Sequence, residues 1–99
     1  MIELTSVEQF NSVGPGRFIV WFTAAWCGPC QRMDKAFLED AAKAKKLPLY
    51  YSDETVNPDL TVLYNITRYP TFCLFSGAEC VSTKSSADAT NIMMWMKRL

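Results

Sequence analysis

Arg17-Phe18-Ile19-Val20-Trp21-Phe22-Thr23, continued by Ala24-Ala25-Trp26-Cys27-Gly28-Pro29-Cys30, decides the architecture of this 99-residue chain. The first seven residues are nearly all apolar, as a strand buried on both faces requires. After Cys27 the pattern changes period. Met33, Phe37, Leu38 and Ala41 recur at spacings of three and four, with Arg32, Lys35, Glu39, Lys43 and Lys45 on the wetter side, which predicts a helix. Lysines gather at 43, 45 and 46, where the C-terminal end of a helix dipole favours cations. A buried strand running into a helix, with two cysteines at the junction, is the core of an α/β unit.

Outward from this stretch, the same two periods alternate. Residues 2–5 form a short strand candidate. Thr5-x-x-Glu8 reads as a capping box that opens a helix with Val7, Phe10 and Val13 inward, closed by Gly14-Pro15-Gly16. Pro48 marks the exit from the helix, Leu47–Ser52 reads as the next strand, and 58–65 as a short helix with Pro58 in its first turn. Thr71–Phe75, a Ser76-Gly77 turn and Cys80–Lys84 read as a hairpin. A last helix over about 87–98, N-capped by Ser85 or Ser86, carries the stripe Ile92, Trp95, Met96 and Leu99, and its methionines read as gap-filling core. The expected fold class is α/β in the order βαβαβαββα: a central mixed sheet flanked by helices, in one domain over residues 1–99.

Composition narrows the function. Hydrophobic residues make up 49%, which argues against disorder. The formal net charge is zero, from 10 basic and 10 acidic residues, so no basic face is expected to neutralise nucleic-acid phosphates. Met1–Thr5 shows neither the charged nor the apolar region of an export signal, and no stretch approaches the roughly 18 apolar residues of a membrane span. A cytoplasmic protein is the resulting expectation. The absence of histidine excludes Ser-His and Cys-His catalysis and every zinc site that needs an imidazole.

Disulfide exchange needs one thiolate to attack and a second thiol to resolve the mixed disulfide. Cys27-x-x-Cys30 at a helix start supplies both, because three residues is almost one helical turn and places both sulfurs on one side. The unpaired N–H groups and positive dipole end favour the first thiolate. Cys27 is therefore the expected nucleophile and Cys30 the resolving thiol. Pro29 suits the first helical turn, and Trp26 offers a flat apolar lip beside the sulfur. A zinc knuckle is the competing reading. It needs four ligands, and Cys73 and Cys80 fall in predicted strands rather than in a second knuckle, so no metal is expected. Cys73 and Cys80 themselves read either as small buried hydrophobes or as a secondary disulfide or regulatory thiol.

With these residues in place, the chain resembles the thioredoxin family over nearly its whole length. Trp26-Cys27-Gly28-Pro29-Cys30 follows an apolar strand, and Asn57-Pro58 and Tyr64-x-Ile66 stand at family-like distances before Tyr69-Pro70-Thr71. The resemblance implies a cis Tyr69–Pro70 bond beside Cys27. It also implies that the Tyr69 backbone pairs with an extended substrate segment, and that Trp26, Tyr69, Pro70, Ser85 and Ser86 line the substrate groove. It implies disulfide-bearing protein substrates, re-reduction by a flavin reductase using NADPH, no bound cofactor and a monomer.

The departures from the family are as informative. The family's buried aspartate, six residues before the first cysteine, is Trp21 here, and its partner lysine maps to Tyr51. Both members of a buried charge pair are thus exchanged for aromatics, which leaves no stranded charge. Cys30 is then expected to lose its proton to water or to a substrate group, more slowly at neutral pH. Lys35 stands where many relatives carry a kinking proline, so a straighter helix is expected. The leading functional reading is a dithiol reductant of protein disulfides. The alternatives are a disulfide oxidant or isomerase, and a thioredoxin-like binding subunit that does not use its thiols.

Overall fold

The computed structural model describes all residues, Met1–Leu99. Its elements are β1 (Ile2–Glu3), α1 (Val7–Asn11), β2 (Arg17–Thr23), α2 (Gly28–Gln31), α3 (Lys35–Ala44), β3 (Leu49–Asp53), α4 (Pro58–Leu63), β4 (Thr71–Ser76), β5 (Glu79–Ser85) and α5 (Ala89–Lys97). The strands form one sheet in the order β1-β3-β2-β4-β5. β1 and β2 run parallel to β3, while β4 is antiparallel to β2 and to β5. This is the mixed sheet expected from the sequence.

β2 lies at the centre and divides the core. Ile19 and Trp21 point to one face, with Phe72 and Leu74 of β4, and meet Leu38 and Ala42 of α3 and Ile92, Trp95 and Met96 of α5. Phe18, Val20 and Phe22 point to the other face, with Cys73 and Phe75, and meet Phe10 of α1 and Leu60 of α4. Each such fully buried side chain contributes about 1.5–3 kcal/mol by leaving water. On the α1/α4 face the rings interlock edge-to-face, with centroids 5.0 Å apart for Phe10–Phe75 and 4.8 Å for Tyr64–Phe75.

Several expectations are corrected. The helix after Cys27 is not one straight rod but two pieces, α2 and α3. Asp34 takes an extended conformation (ψ 103°) and its Oδ1 accepts from the Phe37 N–H at 3.1 Å, so it starts a new helix instead of continuing the old one. A capping aspartate here breaks the helix without a proline. The restart also moves the buried stripe to Leu38 and Ala42 and leaves Phe37 at the surface. At α1 the cap is Ser6, not Thr5. Ser6 Oγ accepts from the Gln9 N–H at 3.0 Å, and Gln9 Oε1 accepts from the Thr5 N–H at 2.8 Å. At α5 the cap is Asp88, not Ser85 or Ser86, because β5 pairing holds Ser85 in the sheet and Ser86 Oγ accepts from the Asp88 N–H. The first strand stops at Glu3, the third begins at Leu49, and α4 ends at Leu63.

Candidate active site

Cys27 occupies the N-cap of α2, with Pro29 inside the first turn. The Cys30 N–H donates to Cys27 Sγ at 3.2 Å, and the two cysteines form a disulfide with their Cα atoms 5.3 Å apart. A directed N–H on sulfur favours the thiolate over the thiol once the pair is reduced. Cys27 keeps 6% of its surface exposed and Cys30 none, so an approaching disulfide can reach only Cys27.

The surroundings come from three separate segments. Trp26 stands 65% exposed, and its indole Nε1 donates to Glu54 Oε2 at 3.0 Å. Tyr69 meets Trp26 edge-on at 5.4 Å and packs against the small buried group of Ala24, Cys27 and Cys30. Burial raises the phenol pKa of Tyr69, so it stays neutral beside the sulfurs. The Tyr69–Pro70 bond is cis, and Pro70 leads directly into Thr71, which pairs with Phe22 near the end of β2. Asp53 Oδ1 ties the loop before Cys27 to the end of β3, accepting from the N–H of Ala25 at 3.2 Å and of Thr55 at 2.9 Å. Gln31 Nε2 closes the other side by donating to the Ala24 carbonyl at 2.9 Å. The structure therefore brings together Trp26, Gly28, Pro29, the cysteine pair and Tyr69. The hydroxyls of Ser85 and Ser86 are engaged elsewhere: Ser85 with Thr71 Oγ1 at 2.7 Å, Ser86 at the start of α5.

Asp53 and Glu54 were not visible as site residues in the sequence. Their only local signal is a turn-forming Asp-x-Thr after a strand, and nothing in it ties them to Ala25 and Trp26, 28 residues away.

Behind Cys30 lies a cleft of about 270 Å³, bounded in part by Trp21, Thr23, Lys35, Tyr51 and Asp53. Trp21 is buried and stacked on Phe72, with ring centroids at 5.6 Å and planes 8° apart. Its strand neighbour across the β2–β3 pair is Tyr51. Tyr51 donates to Glu3 Oε1 at 3.4 Å and lies beneath Lys35 Nζ, 5.9 Å from the ring centroid. Burial, with Glu3 adding, raises the Tyr51 phenol pKa, so at neutral pH it is no proton acceptor for Cys30. No group of three or more histidine, cysteine or acidic side chains is arranged to hold a metal ion.

Comparison with known proteins agrees with this geometry. The family profile described as Thioredoxin matches residues 2–98. Thioredoxin 1 of Plasmodium falciparum is 31% identical over 87 residues, covering 86% of this chain and 84% of that protein. A solved structure of Plasmodium falciparum thioredoxin superimposes with a TM-score of 0.89 at 29% identity, covering 99% of this chain and 98% of the other. Protein disulfide-isomerase A3 of Gallus gallus is 35% identical over 102 residues, but this chain spans only 20% of its length. It likewise spans 18% of the TPR repeat-containing thioredoxin of Arabidopsis thaliana, to which it is 31% identical over 70 residues. A mixed sheet with helices on both faces, a Cys-Gly-Pro-Cys disulfide at a helix start and a family match over almost every residue lead to one conclusion: the chain belongs to the thioredoxin family of thiol–disulfide oxidoreductases.

Proposed function

We propose that the chain, working as a single monomeric domain, reduces disulfides in other proteins and is itself re-reduced by a flavin-dependent, NADPH-using thioredoxin reductase. The difference in exposure within the cysteine pair carries this reading. Cys27 Sγ attacks one sulfur of a substrate disulfide and forms a mixed disulfide, and the first substrate thiolate leaves. Cys30 then attacks Cys27 Sγ, the second substrate thiolate leaves, and the Cys27–Cys30 disulfide remains. Two electrons have passed to the substrate, and the reductase returns them. Trp26, Tyr69 and Pro70 form the rim against which an extended substrate segment lies, with Ser85 and Ser86 assigned to the far side of that groove. A cytoplasmic setting, with electron transport in cellular redox balance, fits the role. No helix is long and apolar enough to cross a membrane.

Two variants test the assignment. Cys27→Ser is expected to abolish reduction of a disulfide-bonded protein substrate such as insulin, by at least about 10³-fold, since the attacking group is lost. Cys30→Ser is expected to accumulate a covalent complex on Cys27 that dithiothreitol releases. A wild-type chain that does not reduce such a substrate, with a biological role that Cys27→Ser leaves intact, would mean that the domain serves as a binding subunit. The exchange of the family's charge pair for Trp21 and Tyr51 favours one rival direction, oxidation or isomerisation. The reduction potential separates the two, read from Trp26 fluorescence in defined dithiol buffers. A value at or below the cytosolic glutathione range of about −220 to −260 mV supports the reductant, and one well above it supports the oxidant.

A further inference from the structure

Cys27 and Cys30 leave two thiols unused, Cys73 and Cys80. They sit on the two strands of the β4–β5 hairpin, and a register irregularity brings them to the same side. Cys73 lies opposite Thr83 and Leu74 opposite Ser82, but Phe75 lies opposite Cys80, so Val81 is an extra residue on β5. Strand side chains alternate faces, and without the extra residue Cys80 would turn away from the face that holds Cys73. The bulge reverses that alternation for Cys80. The contacts agree: Cys73 is fully buried in the α1/α4-side core with Phe75, and the half-buried Cys80 packs on that same cluster. Ser82, one step beyond the bulge, points to the opposite face and accepts from Trp95 Nε1 at 3.1 Å. Bulges re-aim side chains in this way. Cys80 pairs with Phe75, two residues from Cys73, so the two cysteines are diagonal neighbours on one face of the hairpin. The Cys80 thiol otherwise has only a long 3.8 Å contact, to the Ser82 carbonyl.

We propose that Cys73 and Cys80 are a second, reversible dithiol–disulfide couple, separate from the active-site pair and oxidised by small disulfides such as oxidised glutathione. Cys80 is the point of attack because only it reaches solvent. Its thiolate displaces one glutathione as a thiol and becomes a glutathione mixed disulfide. Cys73 Sγ then attacks Cys80 Sγ, the Cys73–Cys80 bond forms, and the second glutathione leaves, taking the proton that Cys73 gives up. One oxidised glutathione is consumed, two thiols become one disulfide, and two reduced glutathiones are released. Burial pushes the Cys73 thiol well above its ordinary range and keeps it protonated, so first attack falls to Cys80, and ring closure, which waits for the Cys73 thiolate, is the slow step and quickens as pH rises. The couple does not depend on the direction in which Cys27 and Cys30 work.

The wild-type chain gives a direct test. Trypsin cleavage after Arg68 and Lys84 yields the peptide Tyr69–Lys84, which contains Cys73 and Cys80 and neither active-site cysteine. The folded, reduced protein is incubated with oxidised glutathione, alkylated, and then digested without reductant. The peptide is expected to be two hydrogens lighter, with its alkylatable thiols reduced from two to none, and to recover both after dithiothreitol. In Cys73→Ser the same treatment is expected to leave glutathione on Cys80. The proposal is overturned if the wild-type peptide keeps both thiols under conditions that fully oxidise Cys27–Cys30. It is equally overturned if wild-type Cys80 accumulates glutathione without closing the ring.

Discussion

Trp21 and Tyr51 stand where the family resemblance implies a buried charge pair, an exchange expected to change the chemistry while sparing the fold. A carboxylate at 21 without its cation would be a stranded charge, whereas two packed aromatics are neutral or stabilising in such a place. Trp21 stacks on Phe72, and its buried Nε1 has no protein partner, a cost of about 1–3 kcal/mol that the ring's burial outweighs. What the exchange is expected to remove is a base beside Cys30. Trp21→Asp combined with Tyr51→Lys places a carboxylate and an ammonium side by side across the β2–β3 pair, next to the cleft behind Cys30. The double variant is expected to resolve mixed disulfides about 10²-fold faster at pH 7, as a positioned base allows. It is also expected to lose about 3 kcal/mol of stability or more with the indole. Stopped-flow Trp26 fluorescence against a disulfide substrate measures the rate, and a folded double variant with an unchanged rate refutes the assignment. This exchange was legible only through the family resemblance, which places an aspartate at a fixed offset before Cys27 where this chain has Trp21. The Glu54 carboxylate on Trp26 was not, because no local pattern joins residues 28 apart.

At the scale of elements, the helix behind the active site is governed by one side chain. Asp34 stops α2 from running into α3, and the Phe37 N–H it accepts from is one of the donors a helix start leaves unpaired. Asp34→Ala is expected to lower unfolding stability by about 1 kcal/mol, seen as a lower urea midpoint at unchanged slope. If stability is unchanged, the break between α2 and α3 is imposed by packing and not by the cap. The capping signals also show why boundaries were the least readable feature. Thr5-Ser6 and Ser85-Ser86-Ala87-Asp88 each offer several capping side chains in a row. The choice among them is made by tertiary pairing: β5 holds Ser85 against Thr71, so the helix cannot begin until Asp88. Periodicity, by contrast, located β2 and the bodies of α1 and α5, since each must bury a face, but it ran α2 and α3 together.

Across the whole molecule, β2 explains why so much could be read. A run apolar at every position from Phe18 to Phe22 fits only a strand covered on both sides, and Ile19 and Trp21 do face α3 and α5 while Phe18, Val20 and Phe22 face α1 and α4. The bulge at Val81 was beyond such reading, because an extra residue leaves no mark in a mostly exposed edge strand without a run of apolar side chains. The two-sided core also governs the response to alkali. Burial raises the phenol pKa values of Tyr51, Tyr64 and Tyr69 above 10.0 and the thiol pKa of Cys73 above 9.0. In the folded chain these acids keep their protons after the unfolded chain has begun to lose them. The unfolded state then binds fewer protons, so stability falls as pH rises. The contribution is complete below the unfolded-state values and is lost from about pH 9 upward, first through Cys73 and then through the tyrosines. The thermal midpoint of the protein is expected to be unaffected by these groups up to about pH 9 and to decline toward pH 11. Cys73→Ala removes the earliest of the four, so its decline is expected to begin about one pH unit later, near the tyrosine value. A wild-type midpoint that holds steady through about pH 11 would show that these side chains reach solvent freely and that the packing around them, on both faces of the sheet, is looser than the structure implies.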